Sequence, residues 1–144
     1  MGMQKHAWTL GGRQRVEMRV PATPHVVSSV RDALADLDLP APLLHDARVL
    51  VSELLSNSIR HAGLGTQERV RVRAEWTGTR LRVDVWDRPA ASAPAQPAGA
   101  IRPDPGAESG WGLYLVDCLA SRWGSAPGRY WFELERDDGV EEPS

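Results

Sequence analysis

The chain has 144 residues, with 17 Lys and Arg against 19 Asp and Glu, a net charge of −2 and 42% hydrophobic residues. This is the profile of one soluble domain, long enough to bury a core without a metal or disulfide staple. Cys118 is the only cysteine and Lys5 the only lysine. The first excludes an internal disulfide and a cysteine-based zinc site; the second excludes Walker-type nucleotide binding, eukaryotic-type kinase chemistry and Schiff-base catalysis.

No apolar run is long enough to cross a bilayer and no signal-like segment opens the chain, so the expected location is cytoplasmic with no membrane partner. The near-neutral charge disfavours nucleic acid as a direct partner.

In chain order, residues 1–14, with Gly11-Gly12 and scattered charge, read as a flexible arm. Val16, Met18 and Val20 alternate with Glu17 and Arg19 and predict a half-buried strand. Thr23-Pro24 predicts a helix start, with Thr as N-cap and Pro at the first helical position. Apolar residues then recur at helical spacing from Val26 to Leu37. After Pro40-Ala41-Pro42, a longer amphipathic helix is predicted from Leu43 to Ala62, stopped by Gly63.

Two strands follow, joined by a tight turn at Thr77-Gly78-Thr79. The first places Val70, Val72, Ala74 and Trp76 opposite Arg69, Arg71, Arg73 and Glu75, and the second places Leu81, Val83 and Val85 opposite Arg80, Arg82 and Asp84. From Arg88 to Glu108 the sequence is rich in Ala, Pro, Ser and Gly and has no period, as in a functional or disordered loop. A short helix opens at Gly110, a last strand covers 129–136, and residues 137–144 form an acidic tail expected to be disordered. The folded domain is thus expected over 15–136. The element order predicts an α+β fold, with helices packed on one face of a mixed, mostly antiparallel sheet.

Three places break the local pattern. Glu53, Asn57 and His61 stand four residues apart, drifting only about 40° per step around a helix axis. They form a polar row beside the apolar stripe Ala47, Leu50, Val51, Leu54, Leu55 and Ser58: either a solvated flank or the rim of a site. Asp87 continues the inward face of Leu81, Val83 and Val85, so a carboxylate arrives at a core position, as a cap for the next turn or as an acceptor for a ligand's amine. Ser109-Gly110-Trp111-Gly112-Leu113 opens a helix, which is a turn or an anion site made by free N–H groups.

Together the three resemble one family. Glu53-Leu-Leu-Ser-Asn57-Ser-Ile-Arg-His61-Ala is similar to the N-box of the GHKL ATPases, Val85-Trp-Asp87 to their adenine-reading Asp, and Gly110-Trp-Gly112-Leu113-Tyr-Leu-Val116 to their second glycine box. Among these the chain most resembles the stand-alone anti-sigma-factor serine/threonine kinases of actinobacterial type, over 16–136.

The resemblance implies a Bergerat-type two-layer sandwich that binds ATP and Mg²⁺. Asn57 would ligate the metal, Asp87 would hold the adenine amine, and Gly110, Gly112 and Leu113 would line the phosphate site. Residues 88–109 would be the ATP lid, and Glu53 the base of a phosphoryl transfer, with His61 supporting the site. It also implies a sigma factor and an anti-sigma-factor antagonist as partners, and a homodimer.

Two stretches depart from the family pattern. Pro89 stands where a glycine is usual, removing a backbone donor, and Arg129, Tyr130 and Trp131 stand where many members carry a Thr. The alternative of another class is therefore a catalytically weak or inactive binding module of the same fold that sequesters a protein partner. A third reading, DNA binding through Arg69, Arg71, Arg73, Arg80 and Arg82, competes with a solvated or edge-protecting sheet face.

Overall fold

The computed structural model describes residues 3–21, 23, 25–61, 69–86, 111–126 and 128–136, with the backbone alone for 60, 61 and 111–114. The chain opens with a hairpin, β1 (Gln4–Leu10) paired antiparallel with β2 (Arg13–Pro21). Residues 4–10, expected as a flexible arm, are therefore a strand. Gly11 and Gly12 have φ of 59° and 83°, the two positive values that a type I′ turn requires and that suit the twist of the flanking strands. The pairing Leu10↔Arg13 leaves those two glycines as the whole loop.

Thr23 does not cap a helix with its side chain. Its N–H donates to the Pro21 carbonyl at 2.8 Å and its own carbonyl accepts the Val26 N–H at 3.2 Å, while its hydroxyl is buried without a partner. Helix α1 (Val26–Ala33) follows this turn, with His25 before it and no side-chain cap; Pro24 lies outside the described residues. A 3-10 turn, Leu34–Asp36, leads towards α2 (Ala41–His61). Proline is harmless at the second residue of α2, because the first-turn N–H groups have no intrahelical acceptor. The Pro40 carbonyl, just outside, accepts the Leu44 N–H at 2.9 Å.

β3 (Arg69–Trp76) and β4 (Arg80–Trp86) form the expected hairpin. Gly78 takes a φ of 99°, and the Thr77 hydroxyl accepts the Arg80 N–H at 3.2 Å across the turn. Helix α3 is Trp111–Leu119. It is followed by β5 (Arg122–Ala126), where no strand was expected, and by β6 (Arg129–Glu135).

The sheet order is β1-β2-β3-β4-β6-β5, and every pairing among the described residues is antiparallel, so the sheet is not mixed. Its inner face presents Val16, Met18, Val20, Val72, Val83 and Phe132, all essentially inaccessible to solvent. Upon it lie α1, α2 and α3, with α2 packed against both other helices and against β4 and β6. The α2 stripe Ala47, Leu50, Val51, Leu54, Leu55 and Ser58 is buried as predicted. Each fully buried Leu or Phe contributes about 1.5–3 kcal/mol, so this layer-on-layer contact is what holds α2, and the polar row beside its stripe, in place.

The hairpin β1–β2 is also pinned to the helical layer. Lys5 donates to Asp36 at 2.7 Å, and Gln14 exchanges two hydrogen bonds with Asp38, to its carboxylate at 2.9 Å and from its N–H at 2.7 Å.

Candidate functional site

Glu53 and Asn57 stand one turn apart on α2, on the flank of the buried stripe. Both are half-buried, and neither makes a hydrogen bond or ion pair with any described residue. Their neighbour Ser52 donates its hydroxyl to the Arg48 carbonyl at 2.7 Å, a bond common for helical Ser and Thr. Among the described residues Glu53 and Asn57 have no such partner, which makes their oxygens the candidates to meet a ligand. His61 is the last residue of α2, and its side chain lies outside the description.

Helix α3 packs against α2 and begins at Trp111. Gly112 and Leu113 are in its first turn, where N–H groups have no intrahelical acceptor and favour an anion. The structure thus brings together the helix of the polar row and the helix that opens at the glycine box. Asp87, Gly110, the lid 88–109 and the tail 137–144 lie outside the described residues; β4 runs to Trp86, directly before Asp87. Among the described residues no cluster of three His, Cys, Asp or Glu could hold a metal. The donors at hand, one carboxylate and one amide carbonyl on α2, are hard oxygen ligands of the kind that bind a hydrated Mg²⁺ together with substrate phosphates.

The opposite face of the sheet carries residues that the sequence left as ordinary surface. Asp84 alternates outward on β4, yet its side chain is 0% exposed. It accepts from Arg82 Nε at 2.9 Å and Nη2 at 3.1 Å, and from Arg129 Nε at 3.1 Å. Arg82 also donates to Glu133 at 3.0 Å and lies 4.1 Å over the Trp131 ring. Burial alone would lower the Arg82 pKa, but its hydrogen bonds and charge attraction to Asp84, and then to Glu133, outweigh that and raise it above the ordinary arginine value. Trp86 is flanked by Arg71 at 4.5 Å, Arg73 at 5.1 Å and Arg129 at 5.7 Å from its centroid. The registers of β4, β6 and β3 gather these side chains, and no single strand's alternation reveals them.

The model of the histidine kinase-like ATPase domain matches residues 19–128. The chain belongs to that family. The match runs from β2 past α3 and takes in α2, residues 87–110 and the glycine box. The open antiparallel sheet with helices on one face is the α+β sandwich expected for the histidine kinase-like ATPases. Membership implies ATP binding. Compared with curated proteins, the chain has no significant match. Among the described residues no helix is long and apolar enough to cross a membrane.

Proposed function

We propose that this histidine kinase-like ATPase domain is a regulatory serine/threonine protein kinase of the anti-sigma-factor type, which binds a sigma factor and phosphorylates an antagonist protein. The observation that carries the reading is the pair Glu53 and Asn57, half-buried and without partners among the described residues, on a helix packed against α3. In this reading Asp87 accepts the exocyclic amine of adenine, and the first turn of α3, with Gly110, Gly112 and Leu113, receives the phosphates. Asn57 holds Mg²⁺, which neutralises phosphate charge when bound. Glu53 takes the proton from a serine hydroxyl as its oxygen attacks the γ-phosphorus; the bond from that phosphorus to the bridging oxygen of the β-phosphate breaks, and ADP leaves. Sigma-factor binding and a homodimer rest on the sequence resemblance, and a cytoplasmic location on the single cysteine, Cys118, which suits a reducing compartment.

The test is transfer of labelled γ-phosphate to serine of a co-purified partner, which Glu53→Ala should abolish while leaving ATP binding intact. A variant that transfers as fast as wild type refutes the mechanism.

The second reading is a binding module of the same fold that sequesters a partner with little turnover. Pro89 favours it, since proline cannot donate a backbone hydrogen bond to nucleotide where the family usually has glycine.

A further inference from the structure

The outer sheet face is strongly basic in a chain whose net charge is −2. Arg13, Arg15 and Arg19 of β2, Arg69, Arg71 and Arg73 of β3, Arg80 and Arg82 of β4, Arg129 of β6 and Arg122 of β5 all face this way. Among the described residues of the strands, the acidic side chains on this face are Glu17, Glu75, Asp84, Glu133 and Glu135.

Most of these arginines are occupied: Arg71 with Glu17, Arg13 and Arg15 with Glu75, Arg82 and Arg129 with Asp84, Arg80 with Glu135 and Arg122 with Glu133. Arg19 is exposed and makes no hydrogen bond or ion pair with a described residue. It lines a recess of about 250 Å³ with Gln4, His6, Glu17 and Met18. Along the same β1–β2 seam a second recess of about 140 Å³ is lined by Trp8, Leu10, Arg13, Arg15 and Glu75. Trp8 is 43% and Leu10 77% exposed, and Arg15 Nε is buried there without an acceptor. The two recesses are offset by four residues of β1, roughly 13 Å along a strand.

The geometry points to a docking surface for an acidic segment of a partner protein, which lies along the β1–β2 seam with a carboxylate on Arg19 and an apolar side chain against Trp8 and Leu10. In an extended segment those two side chains are residues i and i+4, which share a face. A second copy presenting the same basic face would be repelled. Nucleic acid fits less well, because Glu17 lines the first recess and Glu75 the second and they would oppose phosphates at regular spacing, whereas a peptide can place its single carboxylate at Arg19. This surface is independent of the ATP-site reading, since Arg19 and Leu10 lie on the face away from α2.

The test uses a peptide with Glu and Leu four residues apart in a Ser/Thr background, titrated into the whole chain and followed by amide and indole NMR shifts. Shifts should cluster on β1 and β2, including the Trp8 indole. Affinity should fall about tenfold or more with Arg19→Glu, with Leu10→Ser, or with Gln in place of the peptide's Glu, and stay within about twofold with Arg31→Glu on α1. Thermal melting of each variant reports retained folding; Arg19 and Leu10 are both exposed, so both variants should fold. The proposal is overturned by no shifts, by shifts elsewhere, by affinity indifferent to Arg19→Glu, by an oligothymidine binding the seam as tightly as the peptide, or by self-association that occupies the seam.

Discussion

Arg82 grips Asp84, two residues along its own strand, with Nε to Oδ1 at 2.9 Å and Nη2 to Oδ2 at 3.1 Å. Residues at i and i+2 of a strand share a face, so the pair forms within β4 itself, and Arg129 from β6 closes on the same carboxylate at 2.9 Å. A carboxylate with no solvent contact is tolerated because both of its oxygens are held by guanidinium groups.

Replacing Arg82 with Met leaves Asp84 with Arg129 alone and takes the 3.0 Å donor from Glu133. Removing one partner of a fully buried pair costs about 3–5 kcal/mol; because Arg82 is itself partly exposed, the expected loss is nearer 2–3 kcal/mol. Urea denaturation measures it, and a loss within 0.5 kcal/mol, the usual scatter for surface sites, would show that the network contributes little.

Gly124 makes room for the Trp131 indole. A Cβ at that position would sit 2.8 Å from Trp131 Nε1, closer than side chains pack. Gly124→Ala should therefore push the ring from beneath Arg82 and destabilise by about 1–3 kcal/mol. Combining it with Trp131→Ala should remove most of that penalty. A double-mutant cycle with no coupling would contradict the contact.

In the core, Leu54 is wholly buried where α2 meets the sheet. Leu54→Ala should cost about 2–5 kcal/mol. Because Glu53 is its neighbour on the same helix, nucleotide affinity should fall along with stability. Parallel unfolding and binding measurements check both, and undiminished affinity in a destabilised variant would separate the core from the site.

Substituting Asn57 with Ala should weaken nucleotide binding in the presence of Mg²⁺ much more than in excess chelator, since the amide carbonyl acts through the metal. Titrations under both conditions provide the comparison. An equal loss in the two would assign Asn57 to the nucleotide itself.

The long amphipathic α2 was legible because its stripe from Ala47 to Ser58 follows the helical period, and the β3–β4 hairpin because every second residue is apolar. β1 was not: all seven of its residues are exposed, so no alternation marks it, and the double glycine that looked like slack is its turn. β5 escaped for a related reason, since Gly124 and Ser125 carry little strand signal and Trp123 alone packs inward.

The polar row Glu53 and Asn57 was readable from spacing, and what the structure adds is that both are half-buried and that neither side chain has a partner among the described residues. Asp84 was unreadable as a buried carboxylate. Its burial comes from Arg129 and the neighbouring tryptophans, which only strand register brings to it.

Nucleotide recognition in the proposed site centres on Asp87, the carboxylate that follows β4. Calorimetric titration of Mg-ATP into the wild-type chain should give saturable heat, and Asp87→Asn should reduce the affinity strongly, because an amide cannot replace a carboxylate as acceptor without losing its charge-assisted bond. No heat with the wild type, or equal affinity in the variant, would contradict it.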